Sequence, residues 1–557
     1  MQKIGLQGLY VTGILCLFGA ANASAHVVAV DPGEYDGQWR ADGGSFVTGP
    51  QSVDLATGSH TIQVGSVGFF TIEVDAGGVV VVPNNSAVGG PNQLTFNTID
   101  VVVDPAAFDG QWTISRGEPA NFASGVRTAT VVVDTAAQVA VGSAGGFTFS
   151  ANTAGDVATS AVSAIGGLGT LTFNTVDVVV DPGSYAGLWN MSRGEPANFA
   201  AGVRTATVVP GVGSRIAVGT FGAVDFTADG GGVVTPANPV SAIGGLNAIN
   251  LNTVTVVIDP AAFGGQWSIS RGPVSSVTGA QTVSLVPGTL FQVIAGTFGG
   301  FFVDIDETGN VNVLNGVSAV GGTGTLTFNT VDILVDPGDF LGLWSISRGE
   351  PGTPIGGVQT ATLVPGTPFQ FIAGTFGGFF VMADAEGEVE VSNGVSATGG
   401  SGTLTFNTTV ITIDPGDFTG NWSISRAGFF TGTQNVALVP LVSFRLESDG
   451  AGEFFTVGEP CEVNPSLITL GAGTFTLDCG CVDTDVDGVC DFEDICPNDP
   501  ENDADGDGVC GDLDVCSGDD ATGDTDGDGI CDDIDFCTGA NASGDADGDG
   551  ICNDLDQ

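Results

Sequence analysis

Acidic residues at metal-ligand spacing dominate the C-terminal part of this 557-residue chain. Residues 481–557 contain 26 acids and neither lysine nor arginine. Four segments read Asp-x-Asp-x-Asp-Gly, and a further Asp stands at the twelfth position of each. Positions 1, 3, 5 and 12 of such a loop offer carboxylates to Ca²⁺, a hard cation with oxygen ligands, and the glycine at position 6 permits a sharp turn. The spacing therefore predicts four calcium sites.

The predicted calcium ligands are the aspartates at positions 1, 3, 5 and 12, with position 9 added in the first and third loops. They are Asp483, Asp485, Asp487, Asp491, Asp494, Asp503, Asp505, Asp507, Asp514, Asp524, Asp526, Asp528, Asp532, Asp535, Asp545, Asp547, Asp549 and Asp556. Position 9 is Gly511 in the second loop and Asn553 in the fourth. A disordered acidic tail is the alternative, but it needs no fixed glycine and no regular spacing. Clustered carboxylates repel one another, so we expect calcium binding and folding to be coupled here.

The pattern Asp-x-Asp-x-Asp-Gly-Val-Cys-Asp-x-x-Asp-x-Cys at residues 483–496 resembles the thrombospondin type 3 repeat, and residues 524–537 are similar. The resemblance covers about residues 481–557. It implies a helix-poor, calcium-wrapped and disulfide-tied rod, of the kind found outside cells in adhesion or spacer roles. An EF-hand fits less well, because the stretch between successive loops is too short for two flanking helices.

The cysteines predict disulfide bonds in the same region. Beyond Cys16, ten cysteines cluster between Cys461 and Cys552, and an even, clustered number in a secreted chain is typical of disulfides. A sequential pairing fits the spacing, namely Cys461–Cys479, Cys481–Cys490, Cys496–Cys510, Cys516–Cys531 and Cys537–Cys552, although sequence alone leaves the connectivity open. Zinc is the competing use of cysteine, but no Cys-x-x-Cys pair is present and both histidines are distant.

The N-terminus and the charge indicate an extracellular protein. Residues 1–25 have the features of a secretory signal peptide, with Lys3 before an apolar stretch and small residues at the cleavage site. Without them the chain has 10 arginines and 64 acids, a formal charge of −54. This charge excludes nucleic acid as a partner and disfavours anionic membranes. We expect a secreted or cell-surface location without membrane insertion, with calcium as ligand and with glycans or proteins of the cell surface or matrix as candidate partners.

All six tryptophans mark one repeated motif, Asp-Pro-x-x-aromatic-x-Gly-x-Trp, at intervals of 73 to 78 residues. A fixed period predicts tandem units, which we place at residues 26–96, 97–173, 174–251, 252–328, 329–406 and 407–480, before the calcium-binding segment 481–557. Alternating β-branched stretches and glycine-rich turns recur in each. We predict an all-β fold of six β-sandwich-like repeats of about 77 residues, with a β-solenoid as alternative, followed by an irregular Asp-rich segment stabilised by disulfides and calcium.

The segment that follows each tryptophan has two interpretations. Five units continue to Ser-Arg, at Arg116, Arg193, Arg271, Arg348 and Arg426. One tryptophan at one fixed place per unit favours a core residue, with the arginine paired to an acid such as the Asp of Asp-Pro. Stacking of exposed tryptophans on sugar rings is the alternative.

No catalytic site is predicted, because the chain has two histidines and offers no nucleophile with a plausible base. The sequence therefore predicts a secreted calcium-binding structural or adhesion protein, a repeat-built extracellular rod with a calcium-stiffened C-terminal tether. The alternative is a multivalent carbohydrate-binding surface protein, in which repetition multiplies a weak contact.

Overall fold

The computed structural model describes residues 25–159, 162–297, 299–373, 377–425, 428–458, 462–470 and 473–479. In the acidic segment it describes residues 510, 524, 525, 530, 531, 535, 537, 551 and 552. These residues form strands, bridges, turns and loops, as the prediction of an all-β fold requires. No helix that is long and apolar enough to cross a membrane occurs among them.

Every repeat consists of short strands in the same order. The first repeat contains β1 (Ala25–Asp31), β2 (Trp39–Ala41), β3 (Gln51–Ala56), β4 (Gly58–Val64), β5 (Gly68–Val74), β6 (Val80–Val81), β7 (Ala87–Gly90) and β8 (Gln93–Phe96). The second contains β9 (Thr98–Asp104), β10 (Trp112–Ile114), β11 (Arg127–Val132), β12 (Ala137–Val141), β13 (Gly145–Ala151), β14 (Val157–Thr159), β15 (Ala164–Gly167) and β16 (Thr170–Phe173). The third contains β17 (Val176–Asp181), β18 (Trp189–Met191), β19 (Arg204–Val208), β20 (Gly213–Val218), β21 (Gly222–Ala228), β22 (Val234–Pro236), β23 (Ala242–Gly245) and β24 (Ala248–Leu251).

The remaining three repeats follow this order, with one additional strand in the last. The fourth contains β25 (Val254–Asp259), β26 (Trp267–Ile269), β27 (Gln281–Leu285), β28 (Leu290–Ala295), β29 (Gly299–Ile305), β30 (Val311–Val313), β31 (Ala319–Gly322) and β32 (Thr325–Phe328). The fifth contains β33 (Val331–Asp336), β34 (Trp344–Ile346), β35 (Gln359–Leu363), β36 (Phe369–Ala373), β37 (Gly378–Ala383), β38 (Val389–Val391), β39 (Ala397–Gly400) and β40 (Thr403–Phe406). The sixth contains β41 (Thr409–Asp414), β42 (Trp422–Ile424), β43 (Gly428–Phe430), β44 (Gln434–Leu438), β45 (Ser443–Ser448), β46 (Ala451–Val457), β47 (Val463–Asn464), β48 (Leu467–Leu470) and β49 (Gly473–Cys479).

Two sheets form each repeat. In the first repeat, sheet I has the order β3-β1-β8-β7 and sheet II the order β2-β4-β5-β6, and the next four repeats have the equivalent sheets. In the described part of the chain each sheet contains strands of a single repeat. The structure therefore confirms tandem β-sandwiches and excludes a solenoid that shares strands between units. By its contacts the chain divides into two compact bodies, the first holding most of repeats one to four and the second holding repeats five and six.

The core of each repeat lies between its two sheets. Alternate residues of β1 and β8, such as Val30 and Leu94, are buried, and they belong to one apolar cluster with Ile72 of sheet II. All six tryptophans are buried, and the Trp39 ring meets the Phe96 ring edge-on at 5.8 Å. Because a buried aromatic ring removes about 150–250 Å² from water, each tryptophan contributes up to about 5 kcal/mol to its own sandwich.

The Asp-Pro-x-x-aromatic-x-Gly-x-Trp motif forms the turn that delivers each tryptophan to the core. In the first repeat the Asp31 carboxylate accepts a hydrogen bond from the Gly33 amide at 2.9 Å, and Gly33 has φ +62°. The chain then folds back so that the Tyr35 ring lies against Gly37, where any Cβ would collide with the ring. The glycine of the motif is therefore a steric requirement for the aromatic residue two positions before it.

The sixth repeat departs from the others at its last strand. In the first five repeats the final strand runs parallel to the first strand, as β8 does beside β1. In the sixth, β49 runs antiparallel to β41 and places Cys479 opposite Ile411. Sheet II of this repeat also has five strands, in the order β43-β42-β45-β46-β47. The chain thus leaves the sixth sandwich beside the first half of β41.

Candidate functional site

Most of the predicted calcium ligands lie outside the described residues. The structure describes Asp524, at position 1 of the third loop, and Asp535, at position 12 of the same loop. The Asp535 amide donates to the Cys531 carbonyl at 2.9 Å, and its Oδ1 accepts the Cys537 amide at 3.1 Å. These two bonds hold Asp535 beside Cys531 and Cys537. Among the described residues no group of three or more acids, histidines or cysteines lies close enough to hold a metal.

A disulfide closes the fourth acidic loop. Cys537 and Cys552 are bonded with a Cα–Cα distance of 5.1 Å and a sequence separation of 15, and both are buried. Asp545, Asp547 and Asp549 lie between them in the chain. This is the last pair of the predicted sequential pairing, and the structure confirms it. The three carboxylates between these cysteines in the sequence are ligands that suit a hard cation such as Ca²⁺.

Three further cysteines are disulfide-bonded, namely Cys479, Cys510 and Cys531. Each is the second member of a predicted pair, whose first members Cys461, Cys496 and Cys516 lie outside the described residues. The prediction of disulfides therefore holds for the described cysteines. The partners assigned to these three remain a prediction.

The tryptophans are core residues, as the single tryptophan at a fixed place in each repeat predicts. Each indole is at most 1% exposed, and each Nε1 donates to the carbonyl of a glycine in the following loop. These bonds are 3.0–3.1 Å long and join Trp39 to Gly49, Trp112 to Gly125, Trp189 to Gly202, Trp267 to Gly279, Trp344 to Gly357 and Trp422 to Gly432. Burial removes these rings from solvent, so they cannot stack on sugar rings.

Three arginines of the Ser-Arg motif contact aromatic rings of the preceding repeat. The guanidinium carbon of Arg116 lies 3.8 Å from the centre of the Phe46 ring, and Arg193 lies at the same distance from Phe122. Arg271 lies 4.2 Å from Phe199. The expected ion pair with the Asp of Asp-Pro is therefore wrong for these described arginines, because that Asp binds the amide two residues later instead.

The backbone of the same arginines completes a joint between repeats. The Arg116 carbonyl accepts the Gln38 amide at 2.7 Å and the Tyr35 hydroxyl at 3.2 Å, both from the first repeat. Burial raises the pKa of Tyr35, so its hydroxyl remains a donor. Arg116 has φ +58°, a left-handed conformation that turns its carbonyl toward the preceding repeat. The equivalent bonds run from Gln111 to Arg193 and from Leu188 to Arg271, at 2.8 and 2.9 Å.

Sequence reasoning did not find this joint. The arginine was visible in the repeat, but its partner ring stands seven residues after the tryptophan in the first repeat and ten residues after it in the second and third. The signal available was a phenylalanine in the loop after the tryptophan of each of the first three repeats, namely Phe46, Phe122 and Phe199. The joint links each of the first three sandwiches to the next one in the chain.

Comparison with known proteins finds no relative. No protein-family model matches the chain, and no curated protein matches it.

Proposed function

We propose that the chain is a secreted calcium-binding protein with a structural or adhesive role outside the cell. Six β-sandwich repeats form its body, and the acidic segment binds Ca²⁺ and stiffens a C-terminal tether. The observation that carries the proposal is the set of four Asp-x-Asp-x-Asp-Gly loops with Asp at position 12. The similarity to thrombospondin type 3 repeats and the disulfide around the fourth loop support it.

The disulfides favour an extracellular location and a structural use of calcium. Disulfides persist in oxidising compartments, and the described cysteines of the acidic segment are bonded. Calcium sensors respond by opening a pair of helices, whereas the sequence leaves no room for flanking helices between these loops. The disulfide between Cys537 and Cys552 restricts the conformations of the fourth loop, which favours an ion that stabilises one of them.

The joints between repeats favour a scaffold rather than an enzyme. The Arg–Phe stack and the backbone bond to the arginine carbonyl recur at three successive joints. Repeated geometry of this kind holds neighbouring units in a constant arrangement. The proposal therefore includes no catalytic activity, and calcium is its only cofactor.

The test is calorimetric titration of the mature chain, residues 26–557, with CaCl₂. We expect saturable binding at about four sites, with compaction followed by small-angle scattering. The Asp547→Asn variant should lose affinity at one site. Asp519→Asn is a matched control, because it removes the same charge from a position between the second and third loops.

Two outcomes would overturn the proposal. The first is the absence of saturable calcium binding. The second is an equal loss of calcium affinity in Asp547→Asn and Asp519→Asn, which would mean that the affinity depends only on the total charge of the segment. Attachment to cells or matrix, measured with and without chelator, then separates an adhesive role, which chelation abolishes, from a purely structural one.

A further inference from the structure

The sixth repeat carries a groove on the outer face of its five-stranded sheet II. The strand β43 extends sheet II beyond β42 and is the edge of a five-stranded sheet. A cavity of about 280 Å³ opens on the outer face of this sheet, and its lining includes Asn421, Ser423, Phe429, Arg445 and Glu447. This volume lies near the lower end of the roughly 300–1,000 Å³ range of small-molecule sites, so the groove fits one small ring.

Strand register explains the shape of the groove. Phe429 on β43 pairs with Ser423 on β42, and Ser423 pairs with Glu447 on β45. The three side chains therefore stand in one row on the outer face, at about 5 Å per strand. Because serine is the smallest of the three, it forms a trough between an aromatic wall and a carboxylate wall.

The aromatic wall faces solvent. Phe429 is 83% exposed, whereas its neighbour Phe430 turns inward and packs 5.0 Å from the Trp422 ring. An exposed phenylalanine gains nothing from folding, since its apolar surface stays in water. A ring exposed beside a trough of polar groups is therefore interpreted as a contact surface for a ligand.

The opposite wall is polar and contains an ion pair. Arg445 and Glu447 form an ion pair, in which the Arg445 side chain is 34% and the Glu447 side chain 47% exposed. Asn421 and Ser423 add an amide and a hydroxyl to the lining. Asp449 also lines the groove, so these groups supply both donors and acceptors of hydrogen bonds, with one carboxylate more than the ion pair uses.

The row of Phe, Ser and Glu is specific to the sixth repeat. At the position of Glu447, opposite the residue after the tryptophan, the first five repeats have uncharged residues. These residues are Gln63, Ala140, Ala217, Ile294 and Ile372. The sandwich forms without an acid at this position, so the fold itself does not require the groove.

From this geometry we infer that the groove binds one ring of a neutral saccharide. The apolar face of a pyranose stacks on Phe429, and its hydroxyls bond to Glu447, Arg445 and Asn421. An anionic sugar is repelled by a chain of formal charge −53. This site is independent of calcium and goes beyond the structural role proposed above.

The test is binding of the mature chain to a panel of neutral polysaccharides, namely cellulose, chitin, amylose, mannan and β-1,3-glucan. We expect at least one to bind, with an affinity per ring on the order of 1 mM that is unchanged by chelator. Phe429→Ala should weaken binding by about tenfold or more, and Glu447→Gln should weaken it as well. Phe69→Ala is the control, because Phe69 is also exposed, on the first repeat.

Several results would overturn the inference. These are no binding to any neutral polysaccharide, equal effects of Phe429→Ala and Phe69→Ala, or binding only to polygalacturonate or to choline. If Phe429→Ala dissociated a dimer, the Phe429 ring would be a contact with a second copy of the chain and not with a saccharide. Saccharide binding without calcium binding would refute only the proposed function. Calcium binding without saccharide binding would refute only this inference.

Discussion

Removing the Cys537–Cys552 disulfide should weaken calcium binding at the fourth acidic loop. The bond closes a loop with a sequence separation of 15, and Asp545, Asp547 and Asp549 lie inside it. Before calcium binds, these carboxylates repel one another, and the loop tends to open. Without the cross-link, calcium binding must itself supply the free energy that closes the loop.

The magnitude follows from the loop length. A cross-link over about 15 residues lowers the conformational entropy of the open chain and so raises its free energy by about 3 kcal/mol at 25 °C. This value is an upper limit, because the remaining disulfides still restrict the segment. The double variant Cys537→Ser/Cys552→Ser, which leaves no unpaired thiol at this site, should therefore lose between about tenfold and 150-fold in affinity at one site.

Calorimetric calcium titration of this double variant beside the wild-type chain measures the effect. We expect one weakened site and about three unchanged sites, with unfolding of the β-repeats in urea unaltered. An unchanged affinity at every site would refute the reasoning, since it would mean that the disulfide does not organise the fourth loop. Equal weakening at all sites would refute it too, because the effect would then not be local.

Three further predictions concern the β-repeats. Burial lowers the pKa of His60, but its hydrogen bonds to Asp42 and to a backbone carbonyl outweigh this and raise it. The stability that this His60 interaction contributes to the first repeat should therefore be fully present just below about pH 6.5, the ordinary pKa of histidine, and be lost as pH rises through the raised pKa. The variant His60→Gln should remove this pH dependence from urea unfolding. Ala106 of the second repeat and Gly183 of the third stand at the same motif position, and both have positive φ. Gly183→Ala should lower the free energy of unfolding in urea by about 1–2 kcal/mol. Ala106→Gly should leave it unchanged or raise it slightly. The buried tryptophans should emit at short wavelength and resist acrylamide quenching with or without calcium, and a red, easily quenched emission would contradict their burial.

The fold was largely predictable because its signals are local. Alternation of buried and exposed residues in segments such as Val331–Asp336 predicts strands, and the period of the tryptophans predicts the number of sandwiches. The motif Asp-Pro-x-x-aromatic-x-Gly-x-Trp predicted a repeated core position, and the structure adds the reason for its glycine, which lies against the aromatic ring. The pairing of Cys537 with Cys552 was predictable because the two residues are near neighbours in the chain.

The joint and the groove were not predictable because both depend on pairs of residues that are distant along the chain. The Arg116 side chain meets Phe46 only once two sandwiches are placed side by side. In the sixth repeat, no spacing in the sequence shows that the last strand runs antiparallel to β41, because its alternating pattern suits either direction. Strand direction depends on how the connection crosses the sheet.

The sequence by itself determined the period of the repeats, the buried position of the tryptophans and the regular spacing of aspartates in the acidic loops. Each of these depends on spacing over a few residues, which a chain carries before it folds. Only the tertiary structure decided which side chains share a face, as Phe429, Ser423 and Glu447 do. The physical reason is strand register, since a slip of one residue would turn each of these side chains to the opposite face of the sheet.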